Sequence, residues 1–361
     1  MVYSRLDVKK VRRYIEDIFQ KRGFTETESK DITDVLLMAD LYGIESHGIH
    51  RMIRYHAAIE EGSIDLNAHP KLVCETPISA VFDAHKTMGQ IVSKMGMNLA
   101  IEKAKKCGFG IVVMRGASHY GIAGYYAKMA AEQDMIGICM TNTEAIAIPT
   151  YGKKAMLGTS PIALCMPADP IDFWFDAATT VVTRGKLEVY GKKEAPLPQG
   201  WAADETGADC ADASRVLQNI IGKLGGGIFP LGGCSEESGS HKGYGLGIIV
   251  ELFTAILAGG TTSPHVKNGG NADCSFCFMA LDYGICGDKA EIKANMSTLL
   301  RELRESPKAD GHDRIYTHGE KEMESMRDKL ENGIPVNDKT IAELRAIGAQ
   351  LGLDYDDYFA Q

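Results

Sequence analysis

From about residue 75 to residue 140 the chain alternates short apolar runs with longer helical ones. Val81 and Phe82 mark a strand, and residues 91–107 have helical spacing. Residues 110–114 form a β-branched run, 124–134 are helical, and 136–140 form another strand. Strand–helix–strand order is the signature of a βαβ unit and predicts a layered α/β core. Further strands are expected near 162–166, 173–176 and 274–281, and an apolar helix over 246–257. The stretch 191–240 is rich in Gly, Pro and polar residues and reads as mostly loop. The first ~65 residues read as helices, with a break at Gly23 and capping-box spacing between Thr25 and Glu28. The last 70 residues read as charged helices. These textures divide the chain into an N-terminal helical segment (1–75), an α/β core (76–290) and a C-terminal helical segment (291–361) packing with the first.

Composition narrows the function. Hydrophobic residues make up 45% and charged residues 24%, an ordinary globular balance. Net charge is −9 and no basic block is present, which argues against nucleic-acid and membrane-surface partners. A cationic site for an anionic substrate must then be local. The most apolar stretch, 243–260, contains Glu251 and is short for a membrane span of roughly 20 apolar residues. The N-terminus has no apolar run followed by a cleavage site, so no signal peptide is expected. Nine scattered cysteines read as reduced thiols of a cytoplasmic protein.

The common nucleotide and nucleophile motifs are missing. There is no G-x-x-x-x-G-K-[ST], no G-x-S-x-G, and no G-x-G-x-x-G between an early strand and helix. A dinucleotide site here is therefore not the standard Rossmann one. Cys274, Cys277 and Cys286 invite a zinc reading, but no second C-x-x-C completes four ligands, and core thiols are the expectation. No metal site is expected elsewhere, since His47, His50 and His56 lack the H-E-x-x-H pattern.

Three polar clusters remain. In Ser46-His-Gly-Ile-His-Arg51, adjacent Ser46 and His47 side chains are expected to diverge rather than form a nucleophilic dyad. Arg51 and Tyr55 are four apart and share a helix face, and a guanidinium beside a phenol suits a carboxylate. A capped helix with surface charges explains the same residues. In Ser118-His-Tyr-Gly121, His119 follows the carboxyl end of an apolar strand, where it can move a proton near neutral pH. A turn histidine with satisfied hydrogen bonds is the alternative. In Ser240-His-Lys-Gly-Tyr-Gly245, Lys242 at a helix start suits a phosphate, or the glycines serve only close packing.

Taken together, these clusters resemble the malate/L-lactate dehydrogenase type-2 family, which includes sulfolactate and ureidoglycolate dehydrogenases. Gly158-Thr-Ser-Pro161, Asp176-Ala-Ala-Thr179, Gly185-Lys186 and Tyr316-Thr-His-Gly-Glu320 extend the resemblance from about residue 6 to 330. It implies an L-sulfolactate dehydrogenase-like fold, a three-layer non-Rossmann core with a mixed sheet plus helical terminal segments. It also implies a homodimer and an NAD- or NADP-dependent oxidoreductase. Residue by residue, it makes His119 the proton donor and acceptor, with Ser46 and His47 in a polar relay. Arg51, Tyr55 and Thr159 would bind the substrate. His119, Tyr120, Gly121, Ile122, Ala123, Thr143, Asp176, Ala177, Ala178, Lys242, Thr317, His318, Gly319 and Glu320 would line the cofactor, and the middle segment would be its domain. Cyclic-imine reductases of the family carry aspartate where this chain has Lys186, so the Gly185-Lys186 pair resembles the malate-type members.

The expected activity is hydride transfer between NAD and a small anionic 2-hydroxy acid, with malate and oxaloacetate as the pair and NADP as an alternative cofactor. Ureidoglycolate, sulfolactate, lactate and 2,3-diketogulonate are the alternative substrates, and cofactor binding without turnover is the alternative class. Arg54, His50, Arg184 and Lys186 are all candidates for a second substrate carboxylate.

Overall fold

The structure, a computed structural model, describes residues 3–267 and 272–359. A short strand, β1 (Tyr3–Leu6), precedes α1 (Val8–Arg22) and α2 (Glu26–Leu41). Asp7 caps α1 by accepting from Lys10 N, and Gly23 ends it in the left-handed conformation. Thr25 and Glu28 make the expected capping box. Two 3₁₀ turns, Glu45–His47 and Ile49–Arg51, lead into α3 (Met52–Glu60).

The middle of the chain builds the sheet. It contributes β2 (Lys71–Glu75), β3 (Ser79–Asp83), α4 (Gly89–Cys107), β4 (Phe109–Ala117), α5 (Ala123–Ala131), β5 (Ile136–Thr141), β6 (Ile162–Met166) and β7 (Phe173–Ala177). Then come α6 (Arg184–Lys192), β8 (Ala202–Ala203), α7 (Ala213–Gly222), β9 (Gly227–Ile228) and α8 (Ser240–Glu251), which continues into a π turn, Leu252–Ile256. After β10 (Cys274–Leu281) the chain ends with α9 (Lys289–Glu305), α10 (Glu320–Asn332), β11 (Ile334–Asn337), α11 (Asp338–Gln350) and α12 (Tyr355–Phe359).

Seven strands form one mixed sheet in the order β2-β3-β4-β10-β5-β6-β7. Only β3 and β4, joined across α4, are parallel neighbours. β4 and β5 are both antiparallel to β10, which lies between them. The strand–helix–strand element order is therefore as expected, but the second unit is split. The cause is β10 itself: a strand apolar on both faces belongs at the centre of a covered sheet. Helices α4 and α5 pack on one face around Val112, Met114, Phe276 and Phe278. Val250 and Ala258 pack on the other, with Val113, Cys277 and Met279. The result is three layers.

Glycine sets the closeness of the first contact. A Cβ at Gly137 on β5 would sit 2.0 Å from the Ala127 carbonyl oxygen on α5. Gly137→Ala should therefore destabilise the chain by about 1–3 kcal/mol or more, as overpacking does. A urea melt reads this directly; an unchanged midpoint would mean that α5 can retreat freely.

Four features depart from the sequence reading. Tyr3–Leu6, read as helical, pairs with β11 as an antiparallel ribbon. β2, unread in the sequence, is an exposed edge strand. The supposed loop 191–240 contains α7 and the β8–β9 pair around its own core of Leu187, Leu197, Val216, Ile220 and Ile228. Two-residue strands carry no periodicity to read. Finally, α9 does not join the terminal helices. Lys293 pairs with Asp169, and Ser297 accepts from Asp169 N, which hold α9 beside the turn before β7. The terminal core instead unites α1, α2 and α3 with β11, α11 and α12 through Tyr14, Ile18, Leu36, Val336, Leu344 and Tyr355. Among the described residues no helix is long and apolar enough to cross a membrane.

Candidate active site

The cleft that matters lies where the carboxyl ends of β4 and β5 meet the turns after α2. Its volume is about 460 Å³. Ser46, His47, Arg51 and Arg54 form one wall, and His119, Tyr120 and Gly121 a second. Asn142, Thr143 and Thr159 form the floor, and Arg184 and Glu188 reach in from the start of α6.

The first wall is shaped by a buried carboxylate. Asp40 accepts from Ile49 N at 2.8 Å and thereby folds the two 3₁₀ turns back onto α2. Gly48 sits so close that any Cβ there would fall 1.9 Å from Asp40 Oδ1. Burial pushes the Asp40 carboxyl up to about 7. Sequence reading missed Asp40; its signal was an acid on the buried side of an amphipathic helix.

These turns bring neighbours together in an unexpected way. Ser46 Oγ lies 2.8 Å from His47 Nδ1, so the two side chains meet rather than diverge. The tight 3₁₀ geometry is the reason, and it places a hydroxyl–imidazole pair beside the cleft. Arg51 Nε donates to Ser46 O at 2.5 Å, which fixes the root of the guanidinium. The His47 ring lies 5.5 Å from the His119 ring, centroid to centroid.

His119 is positioned from below. The Tyr55 hydroxyl lies 2.8 Å from His119 Nδ1, leaving Nε2 for the cleft. Tyr55 is buried and does not line the cleft. Arg51 ends the 3₁₀ turn just before α3, and the Tyr55 hydroxyl, one turn into α3, meets His119. Burial, then Arg54, His47 and Arg51, push the His119 pKa well below its ordinary value. Burial and the same two arginines push His47 down to about 3. Burial raises Tyr55 to about 12. At neutral pH the site thus holds neutral imidazoles and a neutral phenol among guanidinium charges.

The candidates for a second anion separate cleanly. Arg54 and Arg184 line the cleft. His50 is exposed and reaches Thr340 Oγ1 at 3.4 Å, on α11. Lys186 is exposed and does not line the cleft.

The residues expected around the cofactor fall into three places. His119, Tyr120, Gly121 and Thr143 line the cleft, as does the substrate candidate Thr159. Ile122 and Ala123 start α5, where Gly124 N donates to Asp176 Oδ2 at 2.7 Å. Asp176 and Ala177 end β7, with Ala178 next. Burial pushes Asp176 up to about 7. Thr317, His318, Gly319 and Glu320 pack against β7 outside the cleft. Trp174 N donates to His318 O, and the Glu320 carboxylate accepts from Thr317 N and Oγ1. Lys242, in the first turn of α8, is exposed and does not line the cleft. The lysine points to solvent because α8 buries its glycine side, where Gly243 abuts the Leu231 backbone.

Cys274 also lines the cleft, and burial pushes its thiol up to about 12. Cys277 lies in the core of the opposite sheet face, and Cys286 is exposed, so the three thiols do not converge. Among the described residues no group of three or more His, Cys, Asp or Glu is placed to hold a metal ion.

The family described as malate/L-lactate dehydrogenase matches residues 6–345. This chain belongs to the malate/L-lactate dehydrogenase family. It is 42% identical to a malate dehydrogenase of Pyrococcus abyssi over 353 residues, 97% of this chain and 96% of that protein. It is 37% identical to an L-sulfolactate dehydrogenase of Methanocaldococcus jannaschii over 351 residues, 96% of this chain and 97% of that one. The solved malate dehydrogenase of Pyrococcus horikoshii superposes with a TM-score of 0.89 at 38% identity, covering 98% of this chain and 97% of the other. As a member of this family the chain is a hydroxyacid dehydrogenase, and its mixed three-layer sheet is the family's architecture.

Oxidising a hydroxy acid needs a hydride acceptor, and no side chain can be one. The cleft fits a nicotinamide by its size, within the ~300–1,000 Å³ typical of small-molecule and cofactor sites. It also offers hydroxyl and amide groups on the floor, from Asn142, Thr143 and Thr159.

Proposed function

We propose that this chain transfers a hydride between NAD and the C2 carbon of a small dianionic 2-hydroxy acid, malate being oxidised to oxaloacetate. One observation carries the reading: a buried histidine, held from below by a tyrosine, shares a cleft with Arg51, Arg54 and Arg184. In oxidation, His119 Nε2 takes the hydroxyl proton while Tyr55 Oη, 2.8 Å from Nδ1, holds the ring in place. In reduction the imidazolium returns the proton to the carbonyl oxygen. Arg51, rooted on Ser46 O, grips the C1 carboxylate with its free edge. The cofactor, when bound, supplies the redox chemistry, and Thr143 with the residues after His119 would hold its nicotinamide end.

Dianionic substrates suit this cleft. Arg51 and Arg54 both oppose protonation of His119. A bound dianion offsets that field and raises the imidazole pKa toward neutrality. A monoanion offsets less of it. Arg54 and Arg184 are the residues that would read the far anionic group. The malate and sulfolactate dehydrogenases to which this chain is similar act, by name, on substrates of this kind.

The test follows reduced-nicotinamide absorbance with a panel of 2-oxo acids. Oxaloacetate should exceed pyruvate in kcat/KM. Arg54→Leu and Arg184→Leu should each lower the oxaloacetate value by about tenfold, one lost charge-assisted contact, while pyruvate changes little. Equal losses on both acids would remove the far-anion role. No turnover of any 2-oxo acid would remove the function. NAD is expected over NADP, and a KM for NADPH well below that for NADH would reverse this.

The outward face of α8 and its π turn exposes Ile249, Leu252, Ile256 and Leu257. A second copy of the chain covering that face would make the expected homodimer. All nine cysteines are thiols, four of them exposed, which supports a reducing compartment such as the cytoplasm.

A further inference from the structure

Glu251 is the one acid inside the most apolar stretch of the sequence, and it is buried at the end of α8. Nothing in the proton-transfer scheme uses it. Among the described residues its carboxylate meets three hydrogen-bond donors. Ser263 N donates to Oε1 at 3.2 Å, the Ser263 hydroxyl donates to the same oxygen, and Asn142 Nδ2 reaches Oε2 at 3.4 Å. Burial pushes its pKa up, and these donors push it down.

Each donor leads to the cleft floor. Ser263 Oγ accepts from Gly158 N at 3.2 Å, and Ser263 O accepts from Ala145 N at 3.1 Å. Those residues flank Thr159 and Glu144, both in the cleft, and Thr159 N donates to Thr143 Oγ1. Asn142 cannot turn over. Its Oδ1 accepts from Ser275 N at 2.9 Å, and its Nδ2 also donates to Thr261 O at 2.8 Å. The α-helix gives way to the π turn immediately after Glu251. π turns of this kind are frequent at functional sites.

We infer that Glu251 is a positioning residue for the dehydrogenase reaction: its carboxylate, through Ser263 and Asn142, holds the Asn142–Glu144 and Gly158–Thr159 segments of the cleft floor in register. It touches neither substrate nor cofactor. Only a carboxylate can accept from all three donors at once. A carboxamide of the same shape would set its own N–H against Ser263 or Asn142, leaving a buried donor unpaired.

The experiment compares Glu251→Gln, Ser263→Ala and the double variant with the unmodified full chain. Its kinetic arm rests on the dehydrogenase reading above; its exchange arm does not. Amide hydrogen exchange at Ala145, Gly158 and Thr159 should quicken by about tenfold in Glu251→Gln, as loss of one buried hydrogen bond implies, with α1 unaffected. KM for the acid or the cofactor should rise by about tenfold with kcat within about threefold, and the double variant should be no worse than either single. Unchanged exchange at those amides overturns the assignment. So does a lowered Tm with unchanged KM in both singles, which marks a merely structural acid. If Glu251→Gln does not fold, Ser263→Ala decides by the same two measurements. If the unmodified chain turns over no hydroxy acid, the function fails and the exchange arm still judges Glu251.

Discussion

Replacing His119 by glutamine should lower kcat by about 10²- to 10⁴-fold, the usual contribution of a positioned acid–base group. Glutamine keeps a polar side chain of similar reach but cannot carry a proton between substrate and solvent. Arg51 and Thr159, which line the same cleft and are proposed to hold the acid, are untouched, so its KM should change far less. A variant with near-normal kcat would remove His119 from the proton path. The pH profile adds a second reading. Burial and the two arginines hold the free imidazole neutral. Oxidation needs that neutral form, so its kcat/KM should persist at neutral and alkaline pH and fall as acid protonates the ring. Reduction needs the imidazolium, so its kcat/KM should fall as pH rises. The corresponding limbs of kcat, which report the ternary complex, should lie at higher pH than those of kcat/KM, because the charge of a bound dianion offsets Arg51 and Arg54. Limbs that stay in place with saturating dicarboxylate would argue against the electrostatic link.

The sequence was most legible where local chemistry decides structure. The Thr25–Glu28 capping box, the stop at Gly23 and the strands at 136 and 274 are where their spacing put them, and the strand read at 110–114 lies within Phe109–Ala117. The capping box and the stop rest on contacts within one element, and the strands show as local apolar, β-branched runs. What could not be read was long-range. Nothing near Cys274 in the chain shows that β10 inserts between β4 and β5, because that depends on partners over 130 residues away. The β1–β11 ribbon joins opposite ends of the chain and is equally invisible locally. The site shows the same division. His119, Arg51 and Thr159 were picked out and share a cleft. Tyr55 was picked out beside Arg51, and its hydroxyl meets His119, since helix spacing gives a face but not what faces it. Asp40, Asn142 and Glu251 were missed as site residues, because their work is done through backbone and hydrogen-bond partners far along the chain.

Arg51→Lys should cut kcat/KM for the acid by roughly 5- to 150-fold, at ~1.4 kcal/mol per decade and ~1–3 kcal/mol for a carboxylate left half-satisfied. Lysine keeps the charge but loses the planar fork that holds two carboxylate oxygens at once. It also lacks the Nε–H that roots Arg51 on Ser46 O, so the ammonium would have no fixed bearing toward the cleft. Most of the loss should appear in KM, because the C1 carboxylate is gripped alike in ground and transition states. Arg54→Lys is the comparison, since it alters the same wall three residues away. If Arg51→Lys alone suffers with pyruvate, and both variants suffer with oxaloacetate, the two arginines divide the substrate: one takes the carboxylate beside C2, the other the far one. Equal losses with pyruvate would mean that Arg51 has no special claim on C1. The Ser46 carbonyl would then be orienting a charge that serves the whole cleft rather than one end of the substrate.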